Sequence, residues 1–436
     1  MKGQWLIIAV VAGAGLTRAE MNDTLAPRLD HQAIRYYAAE SEDPVAILNK
    51  NLKSGAAKLK FDGPSGYLRS VLDALHIPVE SQLAVFSKTS LQAPLINLRN
   101  PRTLFFNDSV VVGWMYGGFI ELASLDPRRG VMFYVLPQRT GRRGAPTSLS
   151  NTAAPPVVRG VTGERPVSPE FQRRGDCLQC HLSDATMGVP GMMIRSTFTT
   201  PDDTLKLIYG ALLIDHRTPL DERWGGFYVT GSAGSNRHLG NAVVTGDDPE
   251  SMVTSATLHV STLEDKFDTG KYLAPYSDIA ALLVFDHQMH MSNLITRLGW
   301  EARANPARLL ADSAREFVDY LLFVDEAPLR GPLGGTSGFT EAFAALGPRD
   351  RKGRSLRDLE LQHRTFQYPC SYMIYSASFE ALPAQAKDAI YQRMWRILSG
   401  ADHNPKYARL TTADRRAIME ILCDTKKDLP AYFGPR

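Results

Sequence analysis

Residues 103–136 read "TLFFNDSVVVGWMYGGFIELASLDPRRGVMFYVL". Four runs rich in β-branched and aromatic residues are separated by Asn107-Asp108, by Gly117-Gly118 and by Pro127-Arg128-Arg129-Gly130. Runs of this kind joined by tight turn residues predict an antiparallel meander, because short connections cannot carry a parallel crossover. Further strands are expected after residue 190, in "GMMIRSTFTT", "LKLIYGALLI" and "GGFYVTG".

Away from this block the periodicity changes. Upstream, "GYLRSVLDALH" places apolar residues at helical spacing, and residues 20 to about 95 read as mixed and mostly helical. From about residue 262 onward the chain turns helical again. Ser277 is the expected cap of a helix reaching about Leu298, and Asn305-Pro306 opens another through about Val324. Leu382–Leu398 follows, ending at Gly400, and a last helix starts near Thr411. The expected class is α+β, a β-rich antiparallel region with a helical C-terminal part. The expected division is a mixed and β-rich region over 20–261 and a helical region over 262–436.

Composition narrows the function. A chain of 436 residues with 44% hydrophobic and 22% charged residues is globular, and a formal charge of +3 without Lys/Arg blocks gives no reason to expect nucleic acid. Lys2 precedes the apolar run from Trp5 to Leu16, and Thr17-Arg18-Ala19 has small residues at the two positions a signal peptidase reads. Residues 1–19 therefore read as a signal peptide. The run is shorter than the ~20 residues a spanning helix needs, so no membrane anchor is expected after cleavage, and the mature chain is expected to be periplasmic or otherwise exported.

Between the strands lies "GDCLQCHLSD", residues 175–184, preceded over 137–175 by a long segment dense in Pro, Gly, Ser and Arg. Two of the four cysteines sit here, two residues apart, with a histidine directly after. That pattern suits covalent haem. Two thiols add across the two vinyl groups, and the adjacent histidine ligates iron from the proximal side. Zinc wants four Cys/His ligands, and no second closely spaced pair exists. A redox dithiol would follow a strand at a helix N-terminus, whereas this motif follows a Pro/Gly-rich segment.

Through Cys177, Cys180 and His181 the chain resembles the c-type cytochromes. The resemblance covers about five residues and implies one covalent haem c, redox chemistry and a redox partner protein. It does not imply the small all-helical cytochrome c fold. "RWGGFYVTG" and "YPCSYMIYSASFEALP" are similar to segments of large exported bacterial single-haem proteins.

A filled sixth iron position makes an electron carrier, and an open one admits oxygen, peroxide or another small ligand. On a helical projection of "SDIAALLVFDHQMHMSNLITR", Ile279, Leu283, His287, Met291, Leu294 and Leu298 share one stripe, which makes His287 the leading distal candidate. Alternatives are Met291 on the same stripe, Met192 or Met193 beyond the motif, and His216 or His238 in turn-rich segments. Arg142, Arg143, Arg173, Arg174 and Arg195 are candidate partners for the haem propionates. Cys370 and Cys423 could form a disulfide in an exported protein. The expected function is electron transfer by an exported c-type cytochrome. The alternatives are a haem enzyme with an open distal site, of peroxidase or oxidoreductase type, and a haem-based sensing or binding module.

Overall fold

The computed structural model describes residues 29–138, 169–206, 210–245, 254–305 and 311–434. The expected leader and the candidates Arg142 and Arg143 lie outside them. The meander forms as the sequence requires. Strands β1 (Leu83–Val85), β2 (Arg102–Phe106), β3 (Val110–Trp114), β4 (Ile120–Asp126), β5 (Gly130–Leu136), β6 (Gln172–Arg173) and β9 (Phe227–Tyr228) make a seven-stranded sheet in the order β6-β5-β4-β3-β2-β1-β9. Every pairing in it is antiparallel. A separate hairpin joins β7 (Ile194–Thr197) to β8 (Ala211–Ile214), and β10 (Gly231–Ser232) pairs with β11 (His259–Val260).

Helices α1 (Pro44–Ser54) and α2 (Leu68–Ala74) precede the meander, and α3 (Leu178–His181) and α4 (Ser255–Leu258) interrupt the later strands. The C-terminal part carries α5 (Ile279–Ala304), α6 (Ala311–Leu321), α7 (Phe339–Ala345), α8 (Ala377–Glu380), α9 (Ala384–Leu398) and α10 (Thr412–Thr425). The architecture is α+β, an antiparallel sheet with a helical C-terminal part. Asp278, not Ser277, caps α5, because its carboxylate accepts from the backbone N–H groups of Ala280 and Ala281. That helix also runs one and a half turns further than expected. Thr411 caps α10 in a reciprocal capping box with Asp414.

Register divides the sheet into two unlike faces. Phe105, Val112, Ile120 and Met132 point to the face covered by α1 and are fully buried. There Tyr134 donates to Asp43, and Val45 N–H bonds Ser124. Leu104, Val111, Ala123 and Phe133 point to the opposite face and keep 5–8% exposure. α5 crosses this second face at its turn end. Phe285 packs on Phe106 with ring centroids 4.9 Å apart, and Gln288 donates to the Asn107 carbonyl. One hydrophobic core runs across the change from strands to helices near residue 261. No helix among the described residues is long and apolar enough to cross a membrane.

Candidate functional site

The C-x-x-C-H motif folds as α3, a single turn of four residues. One turn of helix brings Cys177 and His181 together, and His181 N–H bonds the Cys177 carbonyl at 3.0 Å. Both thiols are free, Cys177 half-buried and Cys180 exposed. Desolvation, helped by the Asp176 carboxylate, pushes the Cys177 thiol up to about 12, so it rests protonated. A thiol held protonated is a poor nucleophile for thiol–disulfide exchange.

His181 lies on the second face of the sheet, its ring 4.8 Å from that of Phe133. Its Nδ1 is 2.9 Å from the Gly191 carbonyl. A carbonyl can only accept, so the proton sits on Nδ1 and Nε2 keeps its lone pair. A hydrogen bond from the second ring nitrogen to a carbonyl is how proteins fix the tautomer and orientation of a metal-ligating histidine. Burial lowers the His181 pKa and keeps the ring neutral, as ligation requires.

The loop that supplies this carbonyl is held from both sides. Gly191 N–H bonds the His181 carbonyl, Val131 N–H bonds Pro190, and the Asn293 side-chain amide of α5 donates to and accepts from Met192. A Cβ on Gly191 would stand 2.1 Å from Asn293 Oδ1, so only glycine lets the amide close on the loop.

An ion pair that the sequence did not flag borders the same face. Arg102 Nη1 reaches Glu121 Oε2 at 3.0 Å, across Gly113 of the strand between them, and Ser90 holds the other carboxylate oxygen. Gly113 permits it, since a Cβ there would already stand 3.3 Å from the carboxylate. Arg102, Glu121 and Arg195 are the charged groups that act on His181. Among the expected propionate partners, Arg195 is thus near the histidine. Arg174 is tied to Asp176 at 2.5 Å, and Arg173 lies over the rings of Tyr36 and Tyr37.

Several of the distal candidates are engaged in other contacts. His287 is fully buried, with Nδ1 2.8 Å from His216 Nδ1 and Nε2 2.6 Å from Ser371 Oγ. Both ring nitrogens are engaged, so His287 has none free for a distal ligand; on His216 only Nδ1 is engaged, and Nε2 is buried without a hydrogen-bond partner among the described residues. Stripe logic brought His287 to an apolar face correctly, but another histidine satisfies it there. His238 accepts the Gly240 N–H on Nδ1, which leaves its proton on Nε2 and no lone pair for iron. Met192 follows the carbonyl that binds Nδ1, and its own backbone N–H and carbonyl are held by the Asn293 amide. Met291 is buried in the core, and Met193 is half-buried beside Met192.

Around the histidine pair is a closed polar cluster. Asp286 Oδ2 takes bonds from Arg223 Nη1 at 3.1 Å and Trp224 Nε1 at 3.0 Å, and Arg223 also donates to the carbonyls of His216 and Thr218. Burial pushes the Asp286 carboxyl up to about 7 while Arg223 pulls it back down. Tyr320 donates to the His287 carbonyl and stacks on His216 at 4.0 Å. "RWGG" is therefore a structural element, with Trp224 a core aromatic in a tight turn. Cys370 is buried, Cys423 is exposed, and both thiols are free, so the disulfide does not form. Compared with known proteins, the chain matches no family model, no curated protein and no solved structure.

Proposed function

We propose that the chain is an exported c-type cytochrome that passes electrons to a redox partner protein, with one haem c bound through Cys177 and Cys180 and ligated by His181. The observation that carries this reading is the His181 ring. Its Nδ1 proton is given to the Gly191 carbonyl, and Nε2 is left unprotonated one helical turn from a free thiol. When bound, the haem supplies a one-electron ferric/ferrous couple. Cys177 and Cys180 would each supply one S–H for addition across a vinyl group, the sulfur taking the new C–S bond and the proton passing to the neighbouring carbon.

The chain's own residues divide the remaining work. Phe133 and the apolar face behind it exclude water from the imidazole. Gly191 and Asn293 fix the direction of Nε2. The exposure of Cys180 would leave that attachment point at the surface, where a partner can approach.

A second reading, an open iron position for peroxide or another small ligand, is favoured by one observation. Both nitrogens of His287 are engaged, and His238 spends its lone pair on the Gly240 N–H. The deciding experiment is an optical spectrum of protein matured in a bacterial periplasm, ferric and ferrous, with and without carbon monoxide. Haem that stays on the denatured chain, with a low-spin spectrum indifferent to carbon monoxide, supports electron transfer. A carbon monoxide shift moves the assignment to the second reading, and absence of covalent haem removes both.

A further inference from the structure

Far along the chain from the haem motif, in the helical C-terminal part, an open trough of about 1130 Å³ runs between α9, α10 and the last turn of the chain. One stripe of α10 lines it: Thr412, Arg415, Arg416, Met419, Glu420, Cys423 and Asp424 recur at helical spacing. At 1.5 Å per residue that stripe is roughly 18 Å long. Trp395, Leu398, Leu410 and Phe433 complete an apolar floor beside Met419.

The rim is basic. Arg351, Lys352, Arg354, Arg415 and Arg416 line the trough against only Glu420 and Asp424. Asp424 is taken by Arg351, and Glu420 is shared among Lys352, Arg354 and Arg416. Asp350 behind the rim pairs with Arg354 as well, which still leaves a surplus of two positive charges.

We infer that this trough is a docking site for an acidic amphipathic helix of a partner protein. Its apolar face would lie on Trp395 and Met419, and its carboxylates would lie along the arginine rim. Three features favour a helix over a small amphiphile. The volume exceeds the roughly 300–1,000 Å³ of enclosed ligand sites. The trough is open along its length. The α10 stripe along its wall, roughly 18 Å long, matches about three turns of a helix laid in the groove with its apolar face on Trp395 and Met419. Charge complementarity sets the sign of the partner. The inference is independent of the haem assignment.

Cys423 provides a reporter inside the trough, its Sγ 3.3 Å from the Phe433 carbonyl. The experiment follows alkylation of Cys423 by iodoacetamide, read by mass spectrometry of its peptide, in the full-length periplasm-matured protein. The probe is a synthetic helical peptide with leucines on one face and glutamates on the other. At a peptide concentration ten times the Kd, alkylation is expected to slow about tenfold, by the mass-action factor 1 + [L]/Kd. The protection is expected to weaken with salt and to vanish in Met419→Glu, whose haem spectrum stays unchanged. A lysine-for-glutamate version of the peptide is expected to give no protection. Equal protection by the lysine peptide, protection by oleate at the same concentration, no protection by the acidic peptide, or a Cys423 that never alkylates would each overturn the inference.

Discussion

Two histidines of this chain, His181 and His287, attract the same suspicion in the sequence and end in opposite circumstances. His181 stands at the end of a four-residue helix, half-buried, with one ring nitrogen pinned to a carbonyl and the other left with its lone pair. His287 lies in the middle of a 26-residue helix, fully buried, with both nitrogens spoken for. A ligand needs one nitrogen fixed and one free, and a structural histidine needs both satisfied. Burial alone separates neither case, since desolvation lowers the pKa of both rings. What differs is the second partner.

The contrast breaks most sharply at the cysteines. Replacing Cys177 and Cys180 together with Ala should abolish covalent haem altogether, seen as loss of haem absorbance from the chain on a denaturing gel. Retained covalent haem would falsify the attachment site. A thiol titration gives an independent check. Cys370 is buried, so the matured protein should show only Cys423 reacting, whereas unmatured protein should show Cys177 and Cys180 as well.

In the buried cluster the largest effect is expected from Asp286→Ala, which strands the Arg223 guanidinium, itself only 1% exposed. Breaking a buried pair from one side costs about 3–5 kcal/mol, read as a lower urea midpoint, while haem attachment continues. Acid attacks the same region. Burial holds His287 at about 3 and His238 at about 4, and burial with help from His287 drives His216 well below its ordinary value. The unfolded chain titrates these rings near 6.5, so below that pH it binds more protons than the folded chain and stability falls. The loss should begin near pH ~6.5, run at about 1.4 kcal/mol per pH unit for each ring, and level off only near the folded values. Denaturation midpoints that stay flat from neutrality to pH ~5 would contradict three buried neutral rings.

His287→Leu sharpens the comparison further. It removes two hydrogen bonds, leaves His216 Nδ1 unpaired, leaves Ser371 only its bond from the Met373 N–H, and should cost about 1–3 kcal/mol. The iron spectrum should not change, because the ring has no nitrogen to spare. A change of spin state would restore His287 as a ligand.

How much of this was legible follows from the range of each interaction. The meander could be read because Asn107-Asp108, Gly117-Gly118 and Pro127–Gly130 declare their turns locally. The candidate C-x-x-C-H site could be read because Cys177, Cys180 and His181 fit within about one helical turn. The His216–His287 contact spans 71 residues, and Arg223 to Asp286 spans 63. No local pattern marks such pairs. A stripe shows only that His287 faces the core, not what meets it there. The Arg102–Glu121 pair was missed for a related reason. It needs Gly113 on the strand between, and that appears only once register is known.

The smallest expected effect tests the tautomer argument directly. Gly191→Ala would put a methyl group 2.1 Å from Asn293 Oδ1, so the loop must shift and the Gly191 carbonyl must draw away from His181 Nδ1. Overpacking of this kind costs about 1–3 kcal/mol, and the fold should survive. The electronic consequence is more telling. The Nδ1–H bond to a carbonyl makes the imidazole a better donor, and a better donor favours ferric over ferrous iron. Weakening that bond should therefore raise the reduction potential, measured by spectroelectrochemistry. Asn293→Ala, which releases the loop without adding a methyl, should move it the same way by less. A potential that stays put in both variants would mean that the Gly191 carbonyl holds the histidine in place without tuning it.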